Sequence, residues 1–376
     1  MKKTESARYF DTGRRGWLYF DANSIGAMPK VAPKRLARLL AEWRTLRRRG
    51  WSESDWLDAP RRLGDKLASV IGAQRGSVIV GDSTSVNLHK ALAMSVRLRP
   101  RRQEILSEAG TFPTDLYVAE NIARAHGLKL RLVEGPAQVE PAIGARTAVV
   151  FLSHTDYRTG YRHDLRAVTR RAHSRGAVTV WDLSHSAGAV ATDVARGGAD
   201  FAVGCGYKYL CGGPGAPGYL YVAPRLQARV EPALQGWFGH AEPMAFEPRF
   251  RMARGIQRHA VGTPAVAGNV LLEASLDVFG KLKLAELFRK HAALSQLLIE
   301  LAPEELVLAS PQDPRRRGGF VAFRHRHAEA LVQELQSRRV VASVRPPNIV
   351  RFGLSPLYHR DADVRELARR LRAILC

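Results

Sequence analysis

Between residues 130 and 280 the chain carries fifteen arginines and a single lysine, Lys208. Arginine stays protonated at any physiological pH, whereas a desolvated lysine can lose its proton and act as a nucleophile. Lys208 lies in GCGYKYLCGGPGAPG (204–218), between Tyr207 and Tyr209. Three readings are open for it: a phosphate clamp, a surface charge, or an amine that does chemistry. No GxxxxGK(S/T) segment occurs anywhere, which excludes the nucleotide-phosphate clamp of a P-loop.

Other stretches offer parts for the third reading. In GDSTSVN (81–87) the backbone N–H groups and the hydroxyls of Thr84 and Ser85 form a phosphate cup if they open a helix; a plain N-cap is the alternative. In WDLSH (181–185) Asp182 closes an apolar run, where a carboxylate is costly to bury unless paired. It either takes a hydrogen bond from a protonated ring nitrogen or caps the next turn, and His185 follows three residues on. A lysine, a strand-end acid and a phosphate-binding turn are the three parts that pyridoxal phosphate needs: Schiff-base amine, pyridinium partner and anion cup. Phe112 in TFPTD (111–115) either stacks on such a ring or belongs to the core. Arg351, in the apolar NIVRFGLSPLY (348–358), calls for a carboxylate, from a substrate or from a structural ion pair.

These residues need a frame that brings strand ends together. Apolar runs at 77–80, 104–106, 129–133, 147–154, 177–182, 200–209 and 218–222 read as strands, with helical patterns at 60–72, 86–97, 113–126 and 165–176. Strands alternating with helices imply a mostly parallel sheet covered on both faces, with its site at the strand ends. Earlier, a helix opens near Pro33 with Leu36, Leu39, Leu40 and Trp43 on one apolar face. Later, 266–300 reads as one long helix, followed by strands in ELVLAS, GGFVAFRH and NIVRFGLS and helices at 328–338 and 362–375. The expected division is an arm and helix (1–45), a large domain (46–265), a connecting helix (266–300) and a small α+β domain (301–376).

Composition narrows the class. Lys and Arg number 58 against 35 Asp and Glu, a net charge of +23, which raises a nucleic-acid partner. The basic residues are scattered, however, and no zinc-finger spacing or RNP-like aromatic run accompanies them, so no nucleic-acid partner is expected. Three cysteines, Cys205, Cys211 and Cys376, suit neither a disulfide framework nor a metal site. No apolar run is long enough to span a membrane and the first residues lack a secretory pattern, so a cytoplasmic protein is expected.

Taken together, FDANSIGAMP, LSHTDYRTG, WDLSHSAGAVATD, DFAVGCGYKYLCGGPGAPGYLYV, QGWFGH and VRFGLSPLY resemble kynureninase, most closely its bacterial forms. The resemblance runs from about residue 18 to 358. It implies a pyridoxal 5'-phosphate enzyme of the aspartate-aminotransferase fold type (fold type I), with a mostly parallel seven-stranded sheet, a small C-terminal domain, and a homodimer sharing its active sites. It implies hydrolysis of the Cβ–Cγ bond of L-kynurenine, or of a hydroxylated or ring-substituted analogue, to anthranilate and L-alanine. Lys208 would then hold the cofactor, with Thr84, Ser85, Tyr207, Trp237 and Thr263 around its phosphate, Trp237 and Thr263 reaching over from the neighbouring subunit. Phe112, Pro113, Thr114 and Asp115 would lie along the ring, Asp182 at its nitrogen, and Ser153 and His185 close by. Arg351, Asn23 and Ser24 would bind the substrate. Tyr207 would shuttle protons, provided that the neighbouring ammonium lowers its pKa. The same fold type also houses cysteine desulfurase-like lyases, which need a mobile cysteine late in the chain, and aminotransferases.

Overall fold

The computed structural model describes residues 5–13 and 15–375. Seven strands form the main sheet: β1 (Val78–Val80), β2 (Glu104–Glu108), β3 (Lys129–Val133), β4 (Thr147–Ser153), β5 (Val178–Asp182), β6 (Phe201–Cys205) and β7 (Gly218–Val222), in the order β1-β7-β6-β5-β4-β2-β3. Pairings among β2 to β6 are parallel, and β7 alone runs antiparallel to both its neighbours. Every residue of β4, β5, β6 and β7 is buried, as expected of strands covered on both faces. Helices α1 (Ala32–Leu46), α2 (Ala59–Ile71), α3 (Thr84–Arg97), α4 (Pro113–Ala125) and α5 (Leu165–Ser174) belong to this half. In α5, the Asp164 carboxylate accepts from Ala167 N–H at 2.9 Å, a cap worth about 1 kcal/mol.

The expected apolar face of α1 is largely outside the core. Leu39 is buried, but Leu40 is 53% and Trp43 64% exposed. The single helix expected over 266–300 is two, α6 (Val266–Phe279) and α7 (Leu284–Leu301). The break follows the packing: Leu272, Leu276 and Phe279 join the core of the main sheet, whereas Leu294 and Leu298 join a second core.

That second core gathers around a four-stranded sheet of β8 (Val307–Leu308), β9 (Phe320–Arg324), β10 (Ser343–Arg345) and β11 (Ile349–Gly353), in the order β8-β9-β11-β10. Helices α8 (Ala328–Ser337) and α9 (Asp361–Leu375) pack on it through Leu331, Leu335, Val364, Leu367 and Leu371. Sequence patterning misses β10, a short half-exposed strand, and just before it the two-residue strand Val340–Val341, which pairs in parallel with Leu18–Tyr19 of the arm.

The arm belongs to both halves. Phe20 is part of the second core; Leu18 N–H donates to the Arg339 carbonyl, Phe20 N–H to Val341, and Gly353 N–H to Phe20, at 2.7–2.8 Å. A few residues on, Gly26 N–H donates to the Tyr207 carbonyl at 2.8 Å. A Cβ on Gly26 would stand 2.2 Å from the Lys208 carbonyl oxygen, so only glycine lets the arm pass this closely.

Candidate active site

Carboxyl ends of the parallel strands converge on Lys208. Asp182 ends β5, Ser153 ends β4 in register with it, and Lys208 follows β6 by three residues. Lys208 Nζ lies 3.2 Å from His185 Nε2 and 5.7 Å from the centre of the Tyr207 ring. Burial and the adjacent ammonium hold His185 well below the ordinary imidazole range, so it meets the lysine as a neutral acceptor.

Two carboxylates share this space. Asp182 Oδ1 accepts from Ser184 N–H at 2.9 Å and from Ser184 Oγ at 2.6 Å, which fixes the carboxylate plane. Its Oδ2 takes no hydrogen bond among the described residues. Asp115, in the first turn of α4, is buried with Oδ2 unpartnered. Burial, then the Asp182 charge, push its carboxyl well above the usual range, while Lys208 pulls it back. A protonated ring nitrogen beside Oδ2 of Asp182 would fill the open acceptor. These donors and acceptors fit a pyridinium between a lysine and an acid.

In the turn at 81–85 the helix cap and the two candidate phosphate-binding hydroxyls fall on different residues. Ser83 Oγ caps α3, accepting from Val86 N–H at 3.3 Å. The hydroxyls of Thr84 and Ser85 make no hydrogen bond among the described residues and remain available to an anion. The turn is braced from below. Asp82 has φ +52°, and its carbonyl accepts from Gly218 N–H at 2.7 Å. A Cβ on Gly218 would stand 2.9 Å from Thr84 N. Lys90, buried one turn and a half along α3, donates to Asp82 Oδ2 at 2.8 Å and to the His259 carbonyl at 3.0 Å. That strut ties the cup to the 255–262 segment, and sequence reading missed it.

Phe112 is 39% exposed and sets its ring edge-on to Tyr157 at 5.2 Å, leaving a face open to a planar ligand. Pro113 opens α4, where its missing N–H costs nothing, and Thr114 is half-buried behind it.

Arg351 is fully buried and has no carboxylate within ion-pair distance among the described residues. Its Nη1 donates to the Tyr157 carbonyl at 2.6 Å and Nη2 to Ser343 Oγ at 3.1 Å, while Nε is unpartnered. The Phe320 ring lies 5.3 Å from the guanidinium carbon. Burial, with Arg345 nearby, brings its pKa down to about 10. Asn23 donates from Nδ2 to the same Ser343 Oγ at 3.3 Å and leaves Oδ1 unpartnered. Ser24 turns away, its hydroxyl donating to Asp21 Oδ1 at 2.8 Å. Ser343 and Tyr157 are the residues that orient Arg351, and neither had a sequence signal of its own.

One expected feature differs. The Tyr207 hydroxyl is pushed up rather than down, by burial and the neighbouring Cys205, Asp182 and Asp115. Trp237, 44% exposed, and Thr263, also exposed, stand on adjoining segments joined by Phe238 N–H to the Val261 carbonyl, and neither touches the Lys208 group of its own chain. Cys376 lies outside the described residues. No helix among the described residues is long and apolar enough to cross a membrane.

Comparison with known proteins bears on the family and the fold. A family model, the kynureninase C-terminal domain, matches residues 287–371. The kynureninase of Pseudomonas fluorescens is 43% identical over 372 residues, covering 96% of this chain and 89% of that protein. That of Deinococcus radiodurans is 44% identical over 370 residues, covering 95% and 90%. Among solved structures, the apo cysteine desulfurase of Thermococcus onnurineus superposes with a TM-score of 0.83 at 20% identity, covering 100% of this chain and 98% of that one. The cystine C-S lyase C-DES reaches 0.84 at 20% identity, covering 95% and 97%. These two likenesses bear out the expected α/β fold with its mostly parallel seven-stranded sheet. Identity above 40% over nearly the whole length goes further: the chain belongs to the kynureninase family.

Proposed function

We propose that the protein hydrolyses the Cβ–Cγ bond of L-kynurenine, or of a ring-substituted analogue, releasing an anthranilate and L-alanine, with pyridoxal 5'-phosphate as cofactor. The observation that carries the reading is the fully buried Arg351, with Nε unpartnered and no carboxylate within ion-pair distance among the described residues, Asp21 and Asp156 acting on it only from further off, in a site built around Lys208, Asp182 and Asp115. A buried guanidinium of this kind is matched by an amino-acid carboxylate arriving as ligand.

Pyridoxal 5'-phosphate supplies an aldehyde for amines and a ring that withdraws electrons from the bound amino acid. The chain's residues do the rest. Lys208 holds the cofactor and, once released, takes and returns a proton at its Nζ, with neutral His185 as its hydrogen-bond partner. Asp182, oriented by Ser184, keeps its free Oδ2 for the ring nitrogen. Thr84 and Ser85 offer their hydroxyls to the phosphate, and Phe112 its exposed face to the ring. With its proton held firmly, Tyr207 serves as a donor at the departing carbon rather than as a base.

The working unit in this reading is a homodimer. Tyr117 at 68%, Phe246 at 75% and Trp43 at 64% exposure support a covering partner, and Trp237 and Thr263, out of contact with their own Lys208, serve the partner's site. Buried free thiols at Cys205 and Cys211 suit a reducing cytoplasm. The test is direct: purified protein saturated with pyridoxal phosphate is given L-kynurenine, 3-hydroxykynurenine and L-cysteine. Anthranilate fluorescence together with alanine supports the proposal. Alanine from cysteine alone, without turnover of either kynurenine, would transfer the protein to the desulfurase reading.

A further inference from the structure

Away from the Lys208 site, a crevice of about 460 Å³ opens between the large-sheet segments 162–166 and 191–197 and the 313–316 loop. Five arginines line it, Arg162, Arg166, Arg196, Arg315 and Arg316, against three acids. Each acid already has a partner, two of them among these arginines, which leaves Arg162, Arg166 and Arg316 without one of the three. Asp313 is forked onto Arg315 at 3.0–3.2 Å, Asp193 lies 3.5 Å from Arg196 Nε, and Asp164 caps α5. Arg166 and Arg316 are exposed and make no side-chain hydrogen bond or ion pair among the described residues. Arg162 spends Nε and Nη2 on the Arg315 carbonyl, at 3.0 and 2.7 Å, and keeps Nη1.

A second observation is independent of these surface charges. His154, 3% exposed, forms part of the crevice floor. Its Nδ1 lies 2.9 Å from Ser186 Oγ, while Nε2 has no hydrogen bond among the described residues. Burial holds the imidazole neutral. Where Ser186 donates to Nδ1, the proton sits on Nε2 and gives this crevice-lining residue a free N–H donor.

We infer that this crevice binds a small multivalent oxyanion, a phosphate ester or a di- or tricarboxylate, held by Arg162, Arg166 and Arg316 with the His154 N–H at its base. Guanidinium groups suit both chemistries because each presents paired donors to an oxyanion. An occupant would bridge the large-sheet half to the 313–316 loop, where Arg162 N–H already donates to the Arg316 carbonyl at 2.7 Å. It would also sit one residue from the active site, since His154 N–H donates to the Asp182 carbonyl at 2.8 Å. The inference does not depend on the proposed reaction.

The test uses the holoenzyme with its cofactor saturated, so that the phosphate cup is filled, and monitors the visible band to verify that it stays so. Pyrophosphate and citrate are titrated separately by calorimetry and thermal melting, against sodium chloride of equal ionic strength. The expected result is saturable binding of one probe or both with a raised melting temperature. In an Arg166→Ala/Arg316→Ala variant the affinity falls by about tenfold or more, as loss of charge-assisted bonds implies. Both side chains are exposed, so the variant folds, and its basal turnover is unchanged. Pyrophosphate alone identifies phosphate chemistry, and citrate alone polycarboxylate chemistry. No saturable binding of either probe beyond the chloride control, or equal binding by the double variant, overturns the inference.

Discussion

Replacing Arg351 by glutamine removes a charge that the protein keeps buried for a ligand. The guanidinium is anchored by the Tyr157 carbonyl and Ser343 Oγ and forms no direct ion pair among the described residues, with Asp21 and Asp156 acting on it only from further off. A substrate carboxylate would form a forked, charge-assisted pair with it in a dry setting. Truncating one side of such a pair costs about 3–5 kcal/mol. At about 1.4 kcal/mol per factor of ten, KM for L-kynurenine rises roughly one-hundred- to several-thousand-fold. Stability moves the other way or not at all: burial already disfavours the charge, bringing its pKa down to about 10, and glutamine removes that cost. The assay pairs steady-state anthranilate release with inhibition by kynuramine, the same aryl ketone amine without the carboxylate. Kynuramine should bind wild type and variant within about threefold of each other, as expected when only a carboxylate contact is lost. A variant whose KM for kynurenine changes less than threefold, with its melting temperature intact, would refute a carboxylate role for Arg351.

Three further substitutions probe the frame around the cofactor. Lys90→Met should weaken pyridoxal phosphate about tenfold, from loss of a hydrogen bond to a charged group, yet leave phosphate-free pyridoxal unaffected; equal losses for both, read by absorbance titration, would make Lys90 a general stabiliser. Gly218→Ala places a Cβ 2.9 Å from Thr84 N and should loosen cofactor retention while circular dichroism stays unchanged; undiminished retention would show that the turn yields freely. Asp115 has its folded pKa raised, so its contribution to stability is present below the unfolded value and lost as pH rises through the folded one. Asp115→Asn should therefore raise the melting temperature of the apoprotein at pH ~8, with the gain shrinking toward pH ~4. A gain independent of pH would detach it from this carboxyl.

Much of the site was legible because its parts are local. Asp182 ends a mostly apolar strand, and Lys208 is a solitary amine in arginine-rich surroundings, so each shows in a window of a few residues. Residues that act by long-range register were not. Tyr157 contributes a backbone carbonyl, which has no side-chain signature. Ser343 meets Arg351 because β10 and β11 pair in one register. Lys90 is recognisable as a strut only once His259, 169 residues away, is brought beside it. The outward face of α1 misleads for a related reason. Helical spacing marks Leu40 and Trp43 as apolar neighbours but cannot say whether this chain or another surface covers them.

The stitched arm has a consequence for synthesis on the ribosome. Phe20 and Asn23 are made more than 300 residues before their partners Val341, Ser343 and Gly353. The main sheet, complete by Val222, can close while the arm is still waiting. A nascent chain therefore cannot assemble its carboxylate-binding corner until translation has passed residue 353, and a product cut short before residue 340 would carry Lys208 and Asp182 on a sheet lacking Arg351. Quality control that removes such truncated chains would also remove a reactive lysine with no substrate specificity.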